Sequence, residues 1–104
     1  MVGLSSEYPL VTERQQRVFS LLARKGAVEI LNVLLAQPRR HFSLRELGEE
    51  AGVPTMSASR IVSDLHDMGV VRRRVAGRAH ATSLHRESPA TEFVKRLFEA
   101  CAYK

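Results

Sequence analysis

The sequence predicts a mainly α chain with one small β-hairpin, an α+β class, and three features of its 104 residues carry that prediction. Capping patterns stand at Thr12-Glu-Arg-Gln15 and Ser43-Leu-Arg-Glu46, each just ahead of apolar residues recurring at three- and four-residue steps. Gly52-Val53-Pro54 separates two helical runs by a turn. From Val70 to Leu84 the helical period gives way to two short strand-like runs around Gly77. At 11.7 kDa there is room for one domain, whose small core a subunit interface can supplement.

Each element has its own local cause. Residues 1 to 12 read as flexible. A first helix then runs from Glu13 to about Lys25 with Val18, Phe19, Leu21 and Leu22 as its apolar residues, and Gly26 interrupts it. The next helix covers Ala27 to Gln37, burying Val28, Ile30, Leu31, Leu34 and Leu35, until Pro38 ends it. Ser43 starts the third helix, because its hydroxyl and the Glu46 carboxylate can each satisfy an orphan amide. That helix passes through Leu47 and Ala51 and stops at Gly52, which tolerates the left-handed conformation of a helix end. Val53, preceding a proline, is extended, and Pro54 opens a fourth helix.

The fourth helix places Ala58, Ile61, Val62, Leu65 and Met68 on a buried side. Its opposite side carries Thr55, Ser57, Ser59, Arg60 and Ser63, short hydrogen-bonding groups and one arginine fork, a face able to approach a base-pair edge. Gly69 ends it. A strand rises from Val70-Val71 into Arg72, Arg73 and Arg74, turns over Val75 to Arg78, and returns through His80 and Thr82 to Leu84. Ser88-Pro89 then starts a terminal helix whose stripe is Phe93, Val94, Leu97, Phe98 and Cys101. Helix, tight turn, helix and basic hairpin in this order make the layout of a winged helix-turn-helix, with an extra helix at either end.

These residues resemble the winged helix-turn-helix family of prokaryotic regulators, especially the arsenic-repressor-like branch and related archaeal winged-helix domains. The resemblance rests on the leading helix from Gly26, on Phe42-Ser-Leu-Arg-Glu-Leu, on Gly52-Val-Pro-Thr-Met-Ser-Ala-Ser-Arg, on Asp64-Leu-His-Asp-Met-Gly-Val-Val and on Gly77-Arg78, and it extends to Phe98. It implies that the helix with Ser57, Ser59 and Arg60 enters a DNA major groove, while Arg74 and Arg78 touch phosphates or an adjacent minor groove. Arsenic-repressor-type regulators often sense metal through clustered cysteines in the helix-turn-helix or through His and acidic ligands on the terminal helices, but here the equivalent helix, Leu44 to Ala51, has no Cys or His. Where these families often carry tyrosine on the returning wing strand, this chain has Ala79-His80-Ala81.

Charge agrees with a polyanionic partner. The net charge is +5 with a pI near 10.1, which favours DNA, RNA or an acidic surface alike. Its location is more informative: Arg72, Arg73, Arg74, Arg78 and Arg86 fall in a stretch without an acidic residue, whereas residues 1 to 50 carry seven basic and six acidic side chains. Ser43, Arg45, Thr55, Met56 and His80 complete the expected DNA-facing set. Competing roles stand beside these. The three consecutive arginines suit a solvated strand edge that discourages aggregation, Arg60 can pair with Asp64 one turn on, and Met56 fits a core as well as a helix start facing phosphate.

The chemistry of other classes is missing. A single cysteine, Cys101, makes no internal disulfide and suits a reducing cytoplasm. No apolar run approaches the roughly 20 residues that span a bilayer. His41, His66, His80 and His85 share no helical spacing that aims two at one ion, so neither metal nor cofactor is expected. Glu46, Glu49 and Glu50 form a solvated helix face rather than a catalytic pair, and no nucleophile arrangement or phosphate loop points to an enzyme. The terminal helices, through Val18, Leu22, Phe93, Val94, Leu97, Phe98 and Cys101, are expected to form a twofold dimer. Its recognition helices would meet major-groove faces about 34 Å apart. The expected function is a sequence-specific transcriptional regulator on double-stranded DNA, a repressor for want of surface to recruit polymerase. A winged-helix protein-interaction module and a non-specific architectural DNA binder are the alternatives.

Overall fold

The computed structural model describes residues 13–77 and 79–102. It contains α1 (Glu13–Leu22), α2 (Ala27–Ala36), α3 (Leu44–Ala51), α4 (Thr55–Asp67), β1 (Val71–Ala76), β2 (Ala79–Leu84) and α5 (Pro89–Ala102). The expectations for residues 1 to 12, including the Thr12 cap, and for Arg78 lie outside the described residues, as does the Cys101 side chain.

Local signals set most boundaries. The Ser43 hydroxyl accepts from the Glu46 amide at 3.0 Å, and Glu46 Oε1 accepts from the Ser43 amide at 2.9 Å, so both halves of the capping box are made. Gly52 closes α3 at φ 73°, the left-handed region. Ser88, buried at the head of α5, accepts from the Ala90 amide at 3.2 Å, with Pro89 in the first turn where its missing N–H costs nothing. Two ends differ from expectation. α1 stops at Leu22 rather than near Lys25, because Arg24 N–H turns back to Leu21 O at 2.9 Å and Gly26 takes φ 91°. Val75 and Ala76 belong to β1, so the connection is only residues 77 and 78, with Gly77 at φ 63° as a two-residue hairpin favours.

The core lies where α1, α2, α3, α4 and α5 meet the base of the hairpin. Val18, Leu21, Ala27, Ile30, Leu31, Leu34, Phe42, Leu47, Ile61, Val62, Leu65, Val70, Val71, Leu84 and Val94 are all buried in it. On α2 the buried stripe is Ala27, Ile30, Leu31 and Leu34, and Val28, expected inside, is 46% exposed. A single helix face holds positions i, i+3, i+4 and i+7, and Ala27 rather than Val28 takes the first of them. β1 and β2 pair antiparallel from Val71↔Leu84 to Ala76↔Ala79. An isolated bridge from Phe42 to Thr82 adds a third element to this sheet, with N···O distances of 2.8 and 2.7 Å. Thr91 Oγ1 donates to Val70 O at 3.1 Å inside the core, tying α5 to the root of the hairpin.

The capping box makes a pH prediction. The Ser43 backbone hydrogen bond, opposed by partial desolvation and aided by the Ser43 hydroxyl and the Arg40 charge, holds the Glu46 carboxyl below its usual value. A depressed carboxylate pKa contributes stability that is complete above the unfolded value and lost as pH falls through the folded one. Thermal unfolding followed by circular dichroism should therefore show a midpoint that falls as pH drops below the ordinary glutamate value of 4.5, and Glu46→Gln, which keeps a capping side chain without the charge, should flatten part of that fall.

Candidate nucleic-acid interface

The helix-turn-helix is held by a close backbone approach. A Cβ on Gly48 would lie 2.7 Å from Val53 O and 3.7 Å from the Ala58 side chain, so α3 and α4 meet at a distance only glycine permits. Val53 N–H donates to Gly48 O at 2.8 Å and closes the turn. From this junction α4 buries Ala58, Ile61, Val62 and Leu65 and presents its other side outward.

On that outward side Thr55, Met56 and Arg60 are exposed, while Ser57, Ser59 and Ser63 are half-buried. At about 100° per residue, the direction opposite the buried stripe runs through Met56, Arg60 and Ser63. Ser57 and Ser59, both expected on the outward side, sit at opposite flanks of it. Met56 is no core filler: it is 74% exposed. Arg60 does not pair with Asp64, because Asp64 is taken by Arg24 at 2.5 Å, and among the described residues no carboxylate pairs with Arg60.

On α3 the expected contacts look inward to their own helix. The Ser43 oxygen is engaged in capping, and Arg45 lies 3.3 Å from Glu49 in an exposed pair one turn apart. Arg40 bridges to Glu50 at 2.6 Å and stacks over Phe42, its guanidinium carbon 4.3 Å from the ring centroid. The acidic run Glu46, Glu49 and Glu50 is thus largely neutralised by neighbouring arginines.

The hairpin carries most of the positive charge. Strand alternation puts Arg72 and Arg74 on one face with Ser83 and Ala81, and Arg73 on the other with Val71 and Thr82. The Arg72 guanidinium donates to His85 Nε2 at 3.0 Å and lies 3.8 Å from Glu87, so that nitrogen must be the acceptor. A groove of about 830 Å³ follows the hairpin, lined by Arg39, Arg72, Arg73, Arg74 and Arg86 with His41, His66 and His85, and Glu87 is its one carboxylate among the described residues. Arg39, Arg86, His41, His66 and His85 were not among the expected contacts. The arginine-rich stretch of sequence already contained Arg86. Nothing local marked Arg39 or His41, which precede Phe42, the residue that bridges to Thr82 of the hairpin. His80 is exposed opposite Val75 toward the hairpin tip, and Val75 is itself 61% exposed.

The expected dimer stripe divides in two. Val18 and Val94 are each 1% exposed and belong to the chain's own core, because α1 and α5 pack on α2 and the hairpin root instead of standing clear of them. Leu22, Phe93, Leu97 and Phe98 are half-buried at its edge. Phe19, absent from the expected interface, meets Phe93 edge-on at 6.2 Å and remains substantially exposed.

Among the described residues no cluster of three or more His, Cys, Asp or Glu is placed to hold a metal ion. No helix there is long and apolar enough to cross a membrane.

A capped helix, a glycine-tight turn, an outward-facing second helix and a basic hairpin define a winged helix-turn-helix fold. Residues 17–75 match the IclR helix-turn-helix domain, and the chain belongs to that family. No curated protein sequence matches it. Among solved structures it is similar to the homodimeric winged helix-turn-helix DNA-binding domain of a possible ArsR-family transcriptional regulator from Mycobacterium bovis, at 22% identity, TM-score 0.64, and coverage of 85% of this chain and 79% of that one. The transcriptional repressor BigR from Xylella fastidiosa is similar at 19% identity, TM-score 0.64, and coverage of 86% and 87%. A MarR-family transcriptional regulator from Silicibacter pomeroyi follows at 26% identity, TM-score 0.63, covering 83% of this chain and 57% of that one. The likeness to arsenic-repressor-type proteins is thus one of fold, while the matching sequence family is the IclR type.

Proposed function

We propose that this chain is a cytoplasmic, homodimeric repressor that reads a pseudo-palindromic operator on double-stranded DNA. One observation carries the reading: an outward face of α4 whose Arg60 is in no ion pair among the described residues, together with an arginine-lined groove along the hairpin. In this reading residues 1–104 act as one domain. Arg60, Thr55 and the serines of α4 supply selectivity, and Arg72, Arg73, Arg74, Arg78 and His80 supply phosphate contacts and salt dependence. Ser43 and Arg45 lie at the start of α3, where they would flank the DNA backbone, and Arg39 and Arg86 would extend the basic track. The twofold interface would form from α1 and α5 around Phe19, Leu22, Phe93, Leu97, Phe98 and Cys101, with Val18 and Val94 supporting it from the core. The homodimeric neighbour from Mycobacterium bovis and the repressor from Xylella fastidiosa support dimerisation and repression by analogy.

A random duplex pool, bound at near-physiological salt, recovered and sequenced, tests this. Enrichment of an inverted repeat with half-sites about 10 base pairs apart is the expected result. Binding without enrichment would favour a non-specific architectural role, and no binding would favour a protein-interaction module. On a recovered operator, Arg60→Ala should weaken specific binding by about 1–3 kcal/mol while leaving binding to random duplex nearly unchanged, measured by fluorescence anisotropy. Equal losses on both DNAs would move Arg60 to the phosphate-contacting set.

A further inference from the structure

We propose that Met56 is a specificity-determining residue that recognises the 5-methyl group of a thymine in each half-site. The inference rests on the DNA-binding reading above and adds a base identity to it. Met56 is the second residue of a 13-residue helix and the most exposed of the chain's large apolar side chains among the described residues. It stands at the middle of the outward face of α4, opposite Ala58, Ile61, Val62 and Leu65, with Arg60 and Ser63 on its own side.

The polar side chains beside it on that face, Arg60 and Ser63, and Ser59 and Thr55 toward the flank, can hydrogen-bond to phosphates or base edges. Met56 cannot: a thioether donates no hydrogen and accepts only weakly. A large apolar group held in water gains nothing until something apolar covers it. In a major groove the exposed apolar group of that kind is the C5-methyl of thymine. A protein partner would need an apolar patch around the methionine, and the polar neighbours leave it isolated. Its place in the first turn is also where helix-turn-helix recognition helices reach base edges. Met56 and Arg60 are four residues apart, a rise of about 6 Å. That separation keeps the thymine in the same half-site as the base that Arg60 contacts.

The test uses the full chain and an operator recovered from the random pool. Each thymine is replaced in turn by deoxyuridine, which removes the methyl and nothing else, and affinity is measured by fluorescence anisotropy. At one thymine per half-site the replacement should weaken binding about fourfold, the effect of one buried methyl-sized group. Met56→Ala should bind the thymine and deoxyuridine duplexes equally, and Met56→Leu should keep the discrimination. Because the side chain lies in solvent, both variants should keep the wild-type circular dichroism. If the wild type tolerates deoxyuridine at every position, or if Met56→Ala still discriminates, the proposal is overturned while the DNA-binding reading stands. Failure of the wild type to bind any duplex would overturn that underlying reading, and the proposal with it.

Discussion

Phe42→Ala is expected to cost about 4 kcal/mol of folding stability, in the range for removing a fully buried phenylalanine. Phe42 has no solvent exposure, exchanges two backbone hydrogen bonds with Thr82, and carries the Arg40 guanidinium on its ring. Its ring fills the junction between the entry to α3 and the middle of β2, so truncation leaves a cavity at the place where the hairpin joins the helices. A chain of this size has a total stability of roughly 5–15 kcal/mol, so the variant should sit close to unfolding at physiological temperature. Urea denaturation followed by circular dichroism would check it: the midpoint should fall steeply with an unchanged slope. A loss below about 1 kcal/mol would mean that the sheet and helices are anchored elsewhere.

Removing Arg74 and Arg78 together should lower operator affinity on the order of a hundredfold at physiological salt while leaving base preference intact. With about six phosphates neutralised per dimer, the slope of log affinity against log salt should be near minus five. Loss of four cations per dimer should shrink its magnitude by about three to four. Arg73→Ala is the informative comparison, because Arg73 points to the opposite face of β1 from Arg74 and should change the slope less. Arg72, held between His85 and Glu87, should also contribute less than Arg74, since part of its charge is already met within the chain. A salt slope indifferent to Arg74 and Arg78 would detach the hairpin from the DNA.

The helix-turn-helix was legible because its signals are local. Ser43 with Glu46, Gly52 with Pro54, Gly77 at the hairpin turn and Ser88 with Pro89 act over a few residues through hydrogen bonds and allowed backbone angles, and the structure places each as expected. The basic hairpin was likewise visible as a run of arginines. Less legible was the fate of apolar stripes. Val18 and Val94 have the pattern of exposed dimer residues and turn out to be core, while Phe19 and Met56 are left outside. Helical periodicity identifies an apolar side without saying what covers it.

The sequence by itself therefore determined the order of elements, their caps and turns, and the concentration of positive charge on the hairpin, because these depend on neighbours along the chain. Tertiary structure alone decided that Asp64 answers to Arg24 instead of Arg60, and that Arg39 joins the arginines of the hairpin. Both outcomes join residues 33 or more positions apart through the packing of whole helices on a sheet. Such pairings are set by how the elements fit together in three dimensions, and no local spacing in the chain records them.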